Sequence, residues 1–378
     1  MSGPPTVQRT GGAGWAAWLM LWLLVTPASL LAAAAEGQPA ASGDTALHEK
    51  GGEIAIATQP LATPVGLLAE VMRRDCILAR DLAELHLRVS FHPFANGPEI
   101  SALVRQGTID VSMAGDTPVL VLATQADIRV VALAKLGGAS VVTWARHDRI
   151  QDLAGQRVGV PLGTTAHFGL LLGLAAAGMQ ADDITIVPMP VADLPRAMTQ
   201  GQIEAFSAWE PTPTAFLAAH PDAAAIHRFL NASYLFFRRS LLQDRPEAAT
   251  RIMASYLRAL RWLGGQDRHL SQAAQWTQAA ADAFSGRAGA SVDQIAAVTR
   301  SDLLRFGSRP LIPQGDREPG GRLAKAFAFL RGQGLIAAGA SWDRVAASLD
   351  TELATAVLAD PDRYRLEAFD YTDGAELP

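Results

Sequence analysis

The sequence predicts an α/β protein built as two lobes with a ligand between them. Three observations predict it. From Glu53 onward, short β-type runs alternate with stretches whose apolar residues recur at helical spacing, the grammar of parallel-rich sheets covered by helices. One phrase, "QGTIDVSMAGDT" at 106–117, returns in kind as "QGQIEAFSAWEP" at 200–211: Gln-Gly, an Ile, an acid, a short apolar run, then a second acid beside Thr or Pro. The length, 378 residues, suits one large or two modest domains.

The chain opens on a targeting segment. Arg9 precedes "WAAWLMLWLLVTPASLLAAAA" (15–35), an uncharged run that ends in small residues before Glu36. That pattern reads as a secretory signal, residues 1–35, with cleavage at the Ala-rich end. An uncleaved anchor is the rival reading, because about 20 apolar residues span a bilayer; Pro27 and the alanines favour cleavage. Residues 36–52 form a polar leader without periodicity, of the kind that stays disordered. The exported chain has one cysteine, Cys76, hence no internal disulfide, and is long enough to bury a core without staples. Cys76 sits in an apolar pattern and reads as an inert core residue.

The first lobe begins at residue 53 and runs to 140. Strands are expected at 53–57, 87–91, 109–115 and 129–134, with a helix at 64–82 and another at 97–107 that starts near Pro98 and stops at Gly107. Thr117-Pro118 opens a further helix. The second lobe spans 141–232. Its strands are expected at 141–145, 157–161, 184–188 and 203–209, its helices at 164–179, at 191–201 and from Pro211. A strand at 234–239 returns to the first lobe, whose outer helices are expected at 245–265, 270–286, 291–300 and 320–336, within 233–340. Residues 341–378 are a C-terminal extension to which no role is assigned.

Ligands of open α/β sheets bind beyond the carboxyl ends of strands. The polar turns 114–118 and 208–213 therefore belong at matching mouths of the two lobes, facing one ligand. The sharpest local signal is "VPLGTTAHFG" (160–169), where a strand breaks at Pro161 and Gly163 and Thr164 or Thr165 caps a helix. The unpaired amides and positive dipole end of a helix start favour an anion, and Thr164, Thr165 and His167 add side-chain donors. A plain capping motif with His167 on the surface is the bland alternative. Asp116 and Thr117 sit at another helix start, Trp209 and Glu210 at a strand mouth, and Gln59 follows the first strand. Trp209 can cover an apolar ligand body or receive a cation.

Several functions are excluded by what the chain contains. The net charge of −5 is spread out and no basic stripe offers itself to nucleic acid. There is no GxSxG elbow, HExxH, P-loop or GxGxxG after a strand, and the eight His show no metal-ligand spacing. No catalytic set, metal or cofactor is expected.

"AGDTP", "GTTAHFGLLLGLAAAGM", "VPMPVADLPRAMTQGQIEAFSAWEP" and "SYLFFRR", in that order, resemble the periplasmic substrate-binding proteins of ABC importers for aliphatic sulfonates, taurine and nitrate. The sulfonate branch is the most similar, and the resemblance covers roughly residues 53–260. It implies a type II periplasmic-binding-protein-like fold: two α/β lobes joined by two crossover strands, with the ligand cleft between. It implies a periplasmic monomer that captures a small organic anion and delivers it to permease subunits. Carried over by motif, the ligand contacts are Gln59, Asp116, Thr117, Gly163, Thr164, Thr165, His167, Trp209 and Glu210. The family's Ser-Ser has become Thr164-Thr165 and its Trp-Asp-Pro has become Trp209-Glu210-Pro211, which bears on the ligand more than on the fold. Glu210, unhelpful beside an anion, is expected to face solvent, cap its helix or meet a ligand amine.

A related branch resembles thiamine-pyrimidine synthases, enzymes with a lysine-bound pyridoxal cofactor and a histidine. Such a Schiff base needs a lysine in the cleft. The chain has only Lys50 in the leader, Lys325 far downstream, and Lys135, expected just after a strand.

Overall fold

The alternating apolar runs become the strands of one sheet in the computed structural model, which describes residues 52–307 and 309–374. The signal expected at 1–35, the leader apart from Gly52, and the last four residues of the C-terminal extension lie outside the described residues.

In chain order the elements are β1 (Glu53–Thr58), α1 (Val65–Arg73), α2 (Cys76–Glu84), β2 (Arg88–Pro93), α3 (Gly97–Arg105), β3 (Val111–Gly115), α4 (Asp116–Gln125) and β4 (Ile128–Trp144). Next come β5 (Arg157–Val160), α5 (Thr165–Ala176), β6 (Thr185–Pro188), α6 (Leu194–Thr199), β7 (Ala205–Trp209), α7 (Thr212–Ala219) and β8 (Ala223–Arg238). Helices follow: α8 (Arg239–Asp244), α9 (Pro246–Gly265), α10 (Asp267–Ser285), α11 (Val292–Phe306), α12 (Gln314–Arg317), α13 (Arg322–Gly332), α14 (Trp342–Ser348) and α15 (Glu352–Ala359).

The sheet order is β2-β1-β3-β8-β4-β7-β5-β6. It reads the same from either end. β1 pairs in parallel with β2 and β3, and β5 in parallel with β6 and β7. The long strands β4 and β8 pair antiparallel between these triplets, β3 lying beside β8 and β7 beside β4. The two copies of the repeated phrase occupy matching places. The first runs from the cap just past α3 through all of β3 to the start of α4. The second runs from the cap just past α6 through all of β7 to the approach to α7. Parallel strands covered on both faces read as continuous apolar runs, and Ile54, Ile56, Val111, Met113, Val158, Val160, Ala205 and Phe206 are all buried.

Three local expectations are corrected. The strands expected at 129–134 and 141–145 are one strand, β4. Gly137-Gly138 do not break it, because β8 pairs along its length and three register shifts bend it instead. A side chain at Gly137 would place a Cβ 2.2 Å from the Asp302 carboxylate on α11, so only glycine fits there. Lys135 consequently lies inside a strand and not after one. The helix expected over 64–82 is two helices. Asp75 between them is extended, and its Oδ1 accepts from the Ile77 and Leu78 amides at 3.0 and 3.2 Å, capping α2.

The same Asp75 fixes the C-terminal extension. Its Oδ2 accepts from Arg258 Nη2 and Nε at 2.7 and 3.0 Å, a pair with both side chains 1% exposed, and Arg258 Nη1 donates to the Tyr364 carbonyl at 3.1 Å. Removing one member of such a pair strands a buried charge, which is why both persist. The extension thus packs on α9 and on the α1–α2 junction.

Candidate functional site

Each half of the sheet sends its strands toward a seam where helices begin. At that seam lies a cavity of about 30 Å³, room for roughly one water molecule. Four of the residues expected at the ligand line it: Gln59, Thr164, Thr165 and Trp209.

α5 starts at this cavity. Thr164 is extended, and its hydroxyl accepts from the His167 amide at 3.4 Å, the standard use of Thr as a helix cap. The Thr164 hydroxyl donates to the Pro161 carbonyl at 2.6 Å, and the Thr165 hydroxyl donates to Asp116 Oδ1 at 2.9 Å. Neither proton points at the cavity. What the helix start leaves over is its backbone: among the described residues, the amides of Thr165 and Ala166 donate to no protein acceptor. Unpaired amides at the positive end of a helix dipole are a ready anion cradle.

His167 does not serve as a third donor from the surface. It is buried, its Nδ1 accepts from the Gly163 amide at 3.3 Å, and burial pushes its imidazole down to about 4, so it is neutral at neutral pH. Gly163 holds this turn with a φ of +71°, a region glycine enters without strain. Gly163 and His167 therefore stand behind the cavity wall and hold the cap in shape.

Asp116 and Thr117 open α4 on the facing side. Asp116 is buried and saturated. It accepts from the Thr117 amide at 2.8 Å, from Thr165 across the seam, and from Arg322 Nη1 of α13 at 3.1 Å. Arg322 also donates to Asp316 Oδ2 at 3.0 Å and to the Tyr234 hydroxyl. Thr117 contributes its amide to this knot and does not reach the cavity. Gln59 Nε2 donates to the Met113 carbonyl at 2.7 Å, which ties the loop after β1 to β3.

Trp209, at the end of β7, is buried and spans the seam: its Nε1 donates to the Leu61 carbonyl at 3.1 Å. The Thr63 amide donates to the Glu210 carbonyl at 3.2 Å, a second bond between the halves. The Glu210 side chain turns away from the cavity, and its Oε2 accepts from the Thr214 amide at 3.2 Å inside α7. Of the three fates expected for Glu210, the structure displays the helix cap. A wider groove of about 630 Å³ is lined by Leu61, Thr63, Pro211, Phe216, Ala281 and Ile295 among others.

Sequence reasoning named Lys135 only as the one conceivable cleft lysine of a Schiff-base enzyme, not as a ligand contact, and did not place Asn231 and Ser233 at the cavity. They line it from the crossover strands, where Lys135 of β4 is the register partner of Ser233 of β8. The available signal was one ammonium in the otherwise apolar run "VVALAKLGG". Lys135 is 1% exposed. Burial pushes its ammonium down, against the opposing pull of Asp302, Glu210 and Asp116. Among the described residues, no group of His, Cys, Asp or Glu is arranged to hold a metal ion, and no helix is long and apolar enough to cross a membrane.

The sequence matches the NMT1-like family over residues 79–278, more than half the chain. A protein of Brucella abortus (strain 2308), named only as a binding protein, is 28% identical over 171 residues, 43% of this chain and 53% of that one. The taurine-binding periplasmic protein of Escherichia coli (strain K12) is 28% identical over 165 residues, 43% of this chain and 49% of that one. The chain thus spans about half the length of these curated relatives. Among solved structures, the alkanesulfonate-binding protein SsuA from Xanthomonas axonopodis pv. citri, bound to MOPS, superposes with a TM-score of 0.59 at 19% identity, covering 80% of this chain and 99% of that one. The fold is therefore that of the type II periplasmic binding proteins, as the sequence motifs implied, and the chain belongs to the NMT1-like family.

Proposed function

We propose that this member of the NMT1-like family is the substrate-capturing component of an ABC importer. It takes a small organic anion, an aliphatic sulfonate or taurine, into the seam between its halves and presents it to membrane permease subunits. The observation that carries the reading is the pair of unpaired amides at the start of α5, Thr165 and Ala166, beside a cavity walled by both halves. The anionic head group lies on those amides, in a dry site where fixed dipoles act strongly. The ligand's organic body rests against Trp209. Gln59, Asp116, Thr117, Gly163, Thr164, His167 and Glu210 hold the wall in shape around it.

The bonds Thr165 to Asp116, Trp209 to Leu61 and Thr63 to Glu210 all join the two halves. A ligand larger than the cavity of about 30 Å³ requires them to part and reform, a hinge motion about β4 and β8. The closed form is what the permease recognises. Work in the periplasm, after export on the segment 1–35, fits this role. A monomer suffices, since both walls come from one chain.

The fold alone decides nothing between carrier and catalyst. The binding-protein relatives support the carrier; Lys135, the residue type a Schiff-base enzyme would need, lines the same cavity. Calorimetric titration with alkanesulfonates, taurine, nitrate and sulfate tests the reading. Saturable binding of at least one sulfonate is expected, and silence from all of them overturns it.

A further inference from the structure

We infer that Lys135 supplies the formal positive charge for the ligand, and that the site selects a net anion over a zwitterion such as an aminosulfonate. The inference rests on the proposed function, whose ligand it narrows.

Lys135 and Ser233 are register partners on antiparallel strands, so their side chains stand together on one face. Both line the cavity with Thr164, Thr165 and Gln59. The lysine is 1% exposed, yet among the described residues it takes part in no ion pair and its ammonium in no hydrogen bond. An ammonium taken out of water without a hydrogen-bond partner is costly, and an anionic guest on the same cavity would offset that cost. A second feature points to the same guest, the two unpaired amides of α5 on the same cavity.

Three carboxylates lie near Lys135, and none of them lines the cavity. Asp116 is shared among Arg322, Thr165 and the Thr117 amide. Glu210 caps α7 and does not line the cavity. Asp302 on α11 stays out of the lining, but its Oδ2 accepts no hydrogen bond among the described residues, and it is the strongest charge that acts on Lys135. The lining therefore holds the Lys135 amine, two unpaired amides and no carboxylate. A sulfonate finds its counter-charge there. An amino group two carbons away finds no carboxylate in the lining to accept from it and meets the repulsion of Lys135 instead.

The test uses a near-isosteric pair, 1-propanesulfonate and taurine, titrated into the exported chain by calorimetry. The wild-type protein is expected to bind propanesulfonate at least tenfold more tightly than taurine. Lys135→Met is expected to lose at least a hundredfold in propanesulfonate affinity. Lys135→Arg retains the preference for the net anion. Taurine binding as tightly as propanesulfonate, or an unchanged affinity in Lys135→Met, overturns the inference while leaving the carrier reading intact. Failure of every sulfonate to bind instead removes the reading on which it rests. Should Lys135→Met not fold, the ratio of the two wild-type affinities decides.

Discussion

The turn after β3 and the turn after β5 are built from the same parts. Each ends a buried parallel strand, passes through glycine and starts a helix at the seam. Yet they present opposite faces to a ligand. At the first, the protein fills its own helix start: Asp116 lies on the Thr117 amide, and Arg322 reaches in from α13 to balance its charge. At the second, Thr164 satisfies only the His167 amide and leaves those of Thr165 and Ala166 open. The difference teaches that a helix start is an anion site only when the chain declines to supply the anion. It also explains why Thr165 donates to Asp116: that bond joins the filled turn to the open one.

The largest effect should come from unbalancing the filled turn. Arg322→Met leaves Asp116 buried beside the cavity without its cation. We expect a loss of about 3 kcal/mol in stability, at the low end for a buried pair because Arg322 is partly exposed, read as a shifted urea midpoint. Ligand affinity should fall with it, since the stranded carboxylate repels an anion. An unchanged midpoint would mean that the knot of Arg322, Asp116 and Tyr234 does not hold the turn.

Next is acid sensitivity of the open turn. His167 titrates at about 4 in the folded protein, below its ordinary value of 6.5, because it is buried. The unfolded chain therefore takes up this proton first, so the stability present at neutral pH is lost as pH falls from about 6.5 toward 4. Asp302, pushed up to about 6 by burial, works the other way and adds stability as pH falls below 6. Relative to His167→Gln, the wild type should lose about 2 kcal/mol between pH 7 and pH 5, measured by denaturant unfolding at each pH. Parallel pH profiles for the two proteins would place His167 in water.

Smaller again is the double change Thr164→Ala with Thr165→Ala. It frays the cap and unlinks the two turns, and it should weaken sulfonate binding at least tenfold, about 1.4 kcal/mol. Titration calorimetry reads it directly, and unchanged affinity would move the head group elsewhere. The smallest effect belongs to the second copy of the repeated phrase. Glu210→Ala removes the acceptor for the Thr214 amide and should cost about 1 kcal/mol or less of stability. Ligand affinity should hold, because the carboxylate serves α7 and not the cavity.

Much of this comparison was legible in the sequence, because local chemistry decides it. The alternation of apolar runs, the glycine stops and the two copies of one phrase depend on neighbours within a dozen residues, and they led to the sheet halves and to the α5 start. What escaped depends on distant partners. Gly137-Gly138 reads as a break until β8 is known to pair across it. Asp75 reads as one helical residue among others until Arg258 and the amides of α2 claim it. The cavity floor of Lys135, Asn231 and Ser233 exists only because β4 and β8 lie side by side. The roles of the named side chains were also only half legible. A Thr or Asp at a helix start signals the cap, but that Thr164 donates to the Pro161 carbonyl and Asp116 accepts from Arg322 is what no local pattern reveals.

The open helix start is the centre of the account, and its amides can be watched directly. In a titration of the ¹⁵N-labelled protein with 1-propanesulfonate, the Thr165 and Ala166 amide resonances should shift saturably, downfield in the proton dimension, along the same isotherm that calorimetry reports. Sulfonate binding that leaves both resonances in place would contradict it.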